Sequence, residues 1–164
     1  MATTINAPFV VPAINSVDTA AGIPLGTRVN LSDGGVAVYC QASALVDKYE
    51  AVVVSVGYTV AGATTTLITE GSGTGRQLGF AQVTIPSAYY AWIHLSGRPV
   101  CKLAADCADR VQLYTTGTAG VLDDAVVSIG LAAGIVSKTT ISTATAVTLM
   151  VPTEAFIMNV AVQA

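Results

Sequence analysis

A chain of 164 residues and 16.6 kDa has room for one domain with its own core, not for two comfortable ones. Only 10% of it is charged, against about 25% in ordinary globular proteins, and its mean hydropathy is +0.65. So little charge leaves uncharged surface that points to an oligomer or larger assembly, while a net charge of −3, with basic residues scattered from Arg28 to Lys138, argues against nucleic-acid binding.

The chain opens with residues 1–27, where Asp18 is the sole ionisable side chain and Pro8, Pro12 and Pro24 interrupt small and apolar residues. Proline suppresses regular helix, and the high hydrophobicity disfavours disorder, so this segment is expected to be an extended arm contacting neighbouring subunits. Ile5, Phe9, Val10, Val11, Ile14 and Ile23 are its candidate contact residues. With no basic start and an apolar run broken by proline, the arm does not read as a secretory signal.

Residues 28–164 are expected to form a β-rich body. Thr27–Leu31 and Val36–Cys40 alternate around Asp33-Gly34-Gly35 and predict a hairpin. Ala42–Lys48 is the one stretch able to hold a helical turn. Ala51–Val56, with β-branched residues on both faces, predicts a central strand, and Thr64–Thr69 the next one. Glu70–Arg76 is Gly-rich, but a phosphate-cradling loop needs a helix after it, and Gln77–Ile85 is strand-like; a flexible connection is expected.

Tyr90–Leu95 places Tyr90, Trp92 and His94 on one strand face and Ala91, Ile93 and Leu95 on the other. Ser96-Gly97-Arg98 then predicts a turn into Pro99–Ala104 as a second hairpin. Ala104–Arg110 reads as a tight connection, Val111–Tyr114 as a strand and Thr115–Gly120 as a loop. Val126–Ile129, Ile135–Ile141, Thr145–Val151 and Ala155–Val162 read as four further strands. Between the first two lies Gly130–Gly134, a GxxxG match that outside a membrane helix signals strand bends or turns. The longest apolar run, residues 125–136, is too short for a membrane-spanning helix, which takes about 20 residues. The last strand is apolar on both faces; Phe156, Met158, Val160 and Val162 are its candidate subunit-interface residues.

Chemistry-bearing residues do not converge in the sequence. Cys101, Cys107, His94, Asp106 and Asp109 are metal ligands by type, yet no CxxC pair or second histidine accompanies them. Cys40, Cys101 and Cys107 read as reduced thiols and not as a Cys101–Cys107 disulfide. His94 has no G-x-S-x-G or comparable nucleophile, and Asp123-Asp124 reads as a turn because adjacent strand residues face opposite ways. The expectation is no enzyme, no cofactor and no metal.

Three segments carry a resemblance: Gly79-Phe80-Ala81-Gln82; Tyr90-Ala91-Trp92-Ile93 with its Gly turn; and Val111-Gln112-Leu113-Tyr114-Thr115-Thr116-Gly117-Thr118-Ala119-Gly120-Val121-Leu122-Asp123-Asp124. Across residues 28–136 this succession resembles the small head decoration, or cement, proteins of tailed bacteriophages. The resemblance implies a compact β-barrel or β-sandwich body, a homotrimer, and a virion structural role on the outer capsid surface after synthesis in the host cytoplasm. Its implied partners are the major capsid protein and further copies of itself, without nucleic acid or membrane. The alternative is a fibre or tail-associated adhesin domain reading a host surface glycan, for which Tyr89, Tyr90, Trp92 and Tyr114 are the candidate platforms.

Overall fold

The computed structural model describes residues 13–65, 76–126, 129–136, 140–152 and 154–159. Thirteen strands lie within them: β1 (Val17–Asp18), β2 (Arg28–Asn30), β3 (Val36–Ala42), β4 (Ala51–Val54), β5 (Thr59–Gly62), β6 (Arg76–Ala81), β7 (Tyr90–His94), β8 (Val100–Leu103), β9 (Gln112–Thr115), β10 (Leu122–Asp123), β11 (Ile129–Val136), β12 (Thr145–Thr148) and β13 (Ala155–Asn159).

Five of these close on themselves. β3 pairs with β5, β5 with β4, β4 with β6, β6 with β7, and β7 returns to β3, which makes a barrel with no free edge in its wall. Alternation along each strand fills its interior: Val38, Cys40, Val52, Val54, Val60, Ala81, Ala91 and Ile93 point inward into one core. A second sheet, β13-β11-β9-β10-β8-β12, continues from β6 through β13. It packs on the outer face of the barrel, where Ala51, Val53, Leu78 and Phe80 meet Cys101, Leu103, Leu113, Leu122 and Ile135. β4 is therefore buried on both faces, the physical reason for its unbroken Ala-Val-Val-Val. Sandwich and barrel are both realised, in one connected structure.

The outer face of β3 and β7 needs its own cover. Residues 13–27 and β2 supply it: Ile23 is buried with Ala37, Tyr39 and Trp92, and Ile14, Leu25, Val29 and Leu31 pack around them. β1 adds an edge strand to β7, matching Val17 with Ala91. The sheet thus starts well inside the segment expected to reach outward.

Two loops at one end of the barrel are related by an internal two-fold. Residues 42–50, joining β3 to β4, and 81–89, joining β6 to β7, exchange hydrogen bonds reciprocally. Val46 N–H donates to Ile85 O (3.0 Å) and Ile85 N–H to Val46 O (2.8 Å). Ala42 N–H donates to Tyr89 O as Ala81 N–H does to Glu50 O, both at 2.9 Å. Tyr49 and Ala88, at matching positions, share a left-handed φ of 69°. Such a conformation costs on the order of 1 kcal/mol or more at a non-glycine residue and persists where the surrounding bonds over-determine it. The helical turn expected over Ala42–Lys48 does not form, because these backbone groups are spent across the dyad.

The predicted β2–β3 hairpin forms, pairing Arg28 with Val38 and Asn30 with Val36. The hairpin expected between β7 and β8 does not. Leu95 N–H donates back to Val36 O (2.7 Å), and Gly97, at φ +97°, exchanges hydrogen bonds with Val151. The chain leaves the barrel there, and β8 pairs with β10 and β12 instead. β11 runs through Gly130 and Gly134, and its two register shifts bracket those glycines, as bends in a strand would. β5 falls where no strand was expected.

Candidate functional site

A recess lies where Ile14, β2 and its following turn, and the outward-facing side of β7 meet. It encloses about 500 Å³, with Ile14, Val29, Leu31 and Trp92 as apolar walls and Asp33 and His94 among its polar groups. Each wall has a local cause. Val29 and Leu31 face inward because β2 alternates, and Trp92 projects outward from β7 because Ala91 and Ile93 fill the barrel. Trp92 stands edge-on to Tyr39, with ring centres 5.2 Å apart, and Tyr39 stacks on Tyr90 at 6.2 Å. Trp92 is only 1% exposed. It belongs to a packed aromatic cluster, so it offers no open platform to a sugar; Tyr89, Tyr90 and Tyr114 are half-buried. Tyr39, absent from the expected set, is the ring that ties the cluster together. Its hydroxyl donates to Asp18 Oδ2 (2.7 Å), and burial, then that bond, pushes its pKa up to about 12.

Asp33 is held by the turn it makes. Its carboxylate accepts from Gly35 N–H (2.9 Å) and Arg98 N–H (2.8 Å), which draw its pKa below the ordinary value. His94 is the opposite case: both ring nitrogens are shielded from water and lack a hydrogen-bond partner. Burial lowers its pKa below 6.5, and the Asp33 carboxylate opposes that shift. A histidine with a depressed folded pKa withholds a proton that the unfolded chain accepts. Its contribution is present above the unfolded value of about 6.5 and is lost progressively as pH falls from there through the lower folded pKa. Urea midpoints for wild type and His94→Phe at about pH 7.5 and about pH 5.5 should therefore show the larger acid loss in the wild type. Equal losses would remove His94 as the source.

The other ionisable groups serve the body's own joints. Glu50, buried where the barrel meets the second sheet, accepts from Asp47 N–H (3.1 Å) and lies 3.6 Å from Lys102 Nζ, which is equally far from Asp47. Desolvation raises its pKa against the pull of those partners. Glu154 pairs with Arg28 and accepts from Gln77, tying β2 and β6 to the start of β13.

Cys40, Cys101 and Cys107 are unpaired and buried. Burial pushes Cys40 up to about 12, Cys101 strongly upward and Cys107 to about 11, so all three are protonated and poor nucleophiles at neutral pH. Cys107 does meet two carboxylates. Its sulfur lies within 4.8 Å of Asp123 and Asp124 oxygens, because Asp124 leaves the strand and turns back toward Asp123. The sequence reads Asp123-Asp124 as a turn, and the strand does end at Asp123, with Asp124 in a bend. Each already accepts a backbone N–H, Asp124 from Ala108 (2.9 Å) and Asp123 from Asp124 (2.8 Å). Through those two backbone bonds the carboxylates clasp the loop around Cys107.

Of the expected contact residues, Ile5, Phe9, Val10 and Val11 lie outside the described residues, as do Val160 and Val162. Ile14 lines the recess, and Ile23, 5% exposed, is committed to this chain's own core. Phe156 and Met158 sit in β13, between β6 and β11, so the strand is interior to the sheet. Among the described residues no helix is long and apolar enough to cross a membrane. The chain matches no protein-family model, no curated protein and no solved structure.

Proposed function

We propose that this chain is a capsid decoration protein: a non-enzymatic virion component that binds the outside of an assembled phage head, as a homotrimer contacting the major capsid protein, and stabilises it. The observation that carries this reading is the division of labour in the chain. The described carboxylates around the recess and seam hold up loops and joints of a doubly packed β body, and residues 1–12, without a charged side chain and carrying Ile5, Phe9, Val10 and Val11, precede that body. The resemblance of residues 28–136 to cement proteins supports the same reading.

A cement protein works by mass action: it binds the assembled shell and not the dispersed subunits, so it raises the stability of the shell in proportion to occupancy. A trimer makes its second and third contacts intramolecular, which turns weak single contacts into avidity. With Ile23 spent on the body and Ile14 on the recess wall, the segment left for a partner narrows to residues 1–12.

Heads lacking the protein provide the test. Full-length protein should co-sediment with them and raise the temperature at which they rupture, and a variant lacking residues 2–12 should remain folded and stay in the supernatant. Equal binding by both would reject the arm. No binding by full-length protein, with hits on a glycan array, would reject decoration in favour of the adhesin.

A further inference from the structure

We infer that the second sheet is a second copy of the barrel, and that the seam between them is an interface of two like modules, residues 36–95 and the described part of 97–151, held in one chain. Strand for strand the pairings recur. β3 runs parallel to β5, and β8 runs parallel to β10. β5–β4, β4–β6 and β3–β7 are antiparallel, and so are β10–β9, β9–β11 and β8–β12. The registers coincide as well. Val60 is matched with Ala42 on one side and Val54 on the other, and Leu122 with Leu103 and Thr115, which have the same separation along the chain. Self-similarity at a fixed spacing is the mark of an internal repeat.

The irregular positions recur too, and no strand period demands them. Ser43 N–H donates to Val60 O as Ala104 N–H does to Leu122 O, both at 2.9 Å. Ile85 N–H bonds Val46 O across the first module's dyad (2.8 Å), and Ile141 N–H bonds Cys107 O at the matching place in the second (3.0 Å). Arg110, at φ 57°, stands where Tyr49 does, and Gly120, at φ 71°, stands where Tyr58 does, at φ 56°. Cys40, Val46, Val52 and Ile93 are buried in one core; their counterparts Cys101, Cys107, Leu113 and Leu149 are buried in the other.

The copies differ where they meet. In the first module Gln41 N–H donates to Tyr58 O (3.0 Å), closing β3 onto the start of β5. In the second, the matching amide of Lys102 donates to Tyr49 O (2.8 Å), and the matching carbonyl of Gly120 accepts from Ala51 N–H (2.9 Å). Residues 49–51 of the first module thus stand in the wall of the second, and Ala51 joins its core. One copy opens a hydrogen-bonded seam, and the backbone of the other satisfies the amide and carbonyl so released.

A loop graft into the full-length chain tests the equivalence. Residues 43–49 and 104–110 join matching strands and are equal in length. The variant A104S/D106L/C107V/A108D/D109K/R110Y, which writes the first segment onto the second, should keep one cooperative urea transition with a midpoint within about 1 M of wild type. The Ile141 amide should exchange within about tenfold of its wild-type rate, since its acceptor is the backbone at position 107. A105L/D106V/C107D/A108K/D109Y/R110E carries the same loop shifted by one residue, places a carboxylate at the buried Cys107 position, and should lose the transition. A matched graft no more stable than the shifted one overturns the repeat, and so does faster Ile141 exchange than stated. Both measurements concern the body alone, so a failure to bind heads leaves them intact.

Discussion

Trp92→Ala is expected to lower the unfolding free energy by about 3–5 kcal/mol, the range for emptying a buried aromatic site. Against a total of about 5–15 kcal/mol for a domain, this brings the protein near the edge of folding at body temperature. The size follows from position. Trp92 is 1% exposed and is the largest fully buried side chain, and it joins Tyr39 and Ile23 beneath the cover formed by residues 13–31. Alanine removes the ring that this cover rests on, and the barrel wall behind it, closed by paired strands, is not free to collapse into the space. Urea denaturation followed by circular dichroism measures the loss. Trp92→Phe, which keeps an edge-on partner for Tyr39, should lose less than half as much. A loss below about 0.5 kcal/mol for the alanine variant, the level of an ordinary surface change, would show that the aromatic cluster is not an anchor.

Gly120→Ala should cost about 2–5 kcal/mol, from two independent sources. Gly120 has φ +71°, where an added Cβ costs roughly 1–2 kcal/mol. That Cβ would also stand 2.3 Å from Glu50 Cγ and 2.4 Å from Glu50 Cβ, and overpacking costs about 1–3 kcal/mol more. Glu50 has little room to move, since Asp47 N–H and Lys102 hold its carboxylate. Nor does Gly120 itself, which donates to Ala63 O and accepts from Ala51 N–H, both at 2.9 Å. These bonds weld the second sheet to the barrel, so the substitution strikes the joint between the two layers. Gly117→Ala is the control: its Cβ would meet nothing within 4 Å, and its effect should stay within about 0.5 kcal/mol. Equal midpoints for the two variants would mean that the seam carries no strain.

Little of the recess was legible beforehand. Tyr90, Trp92 and His94 were placed on one face correctly, because alternation is a local property of a strand. That this face lies under Ile23 was not legible, since Ile23 comes from a segment whose proline content and lack of charge suggested outward reach. Apolar residues in such a segment bury themselves on the nearest apolar surface, and the nearest was the chain's own. The meeting of Cys107 with Asp123 and Asp124 was hidden for a related reason: one residue leaving its strand reverses the side of the sheet that its carboxylate faces.

By itself the sequence determined the all-β class, the position of most strands and which side chains of each share a face. Each of these follows from a two-residue period or a turn residue, and both act over a few positions. Only the tertiary structure decided partners. β7 leaves β8 for β1, β3 and β6, β5 exists because Gln41 and Ala42 pair with Thr59 and Val60, and the barrel closes when β6 meets β7. The internal two-fold makes the point most sharply. Across residues 42–50 and 81–89 just one position, Ala42 with Ala81, is identical, yet the hydrogen bonds repeat one for one. Backbone amides and carbonyls are the same at nearly every residue, so the pairings that close the fold leave almost no trace in the side chains.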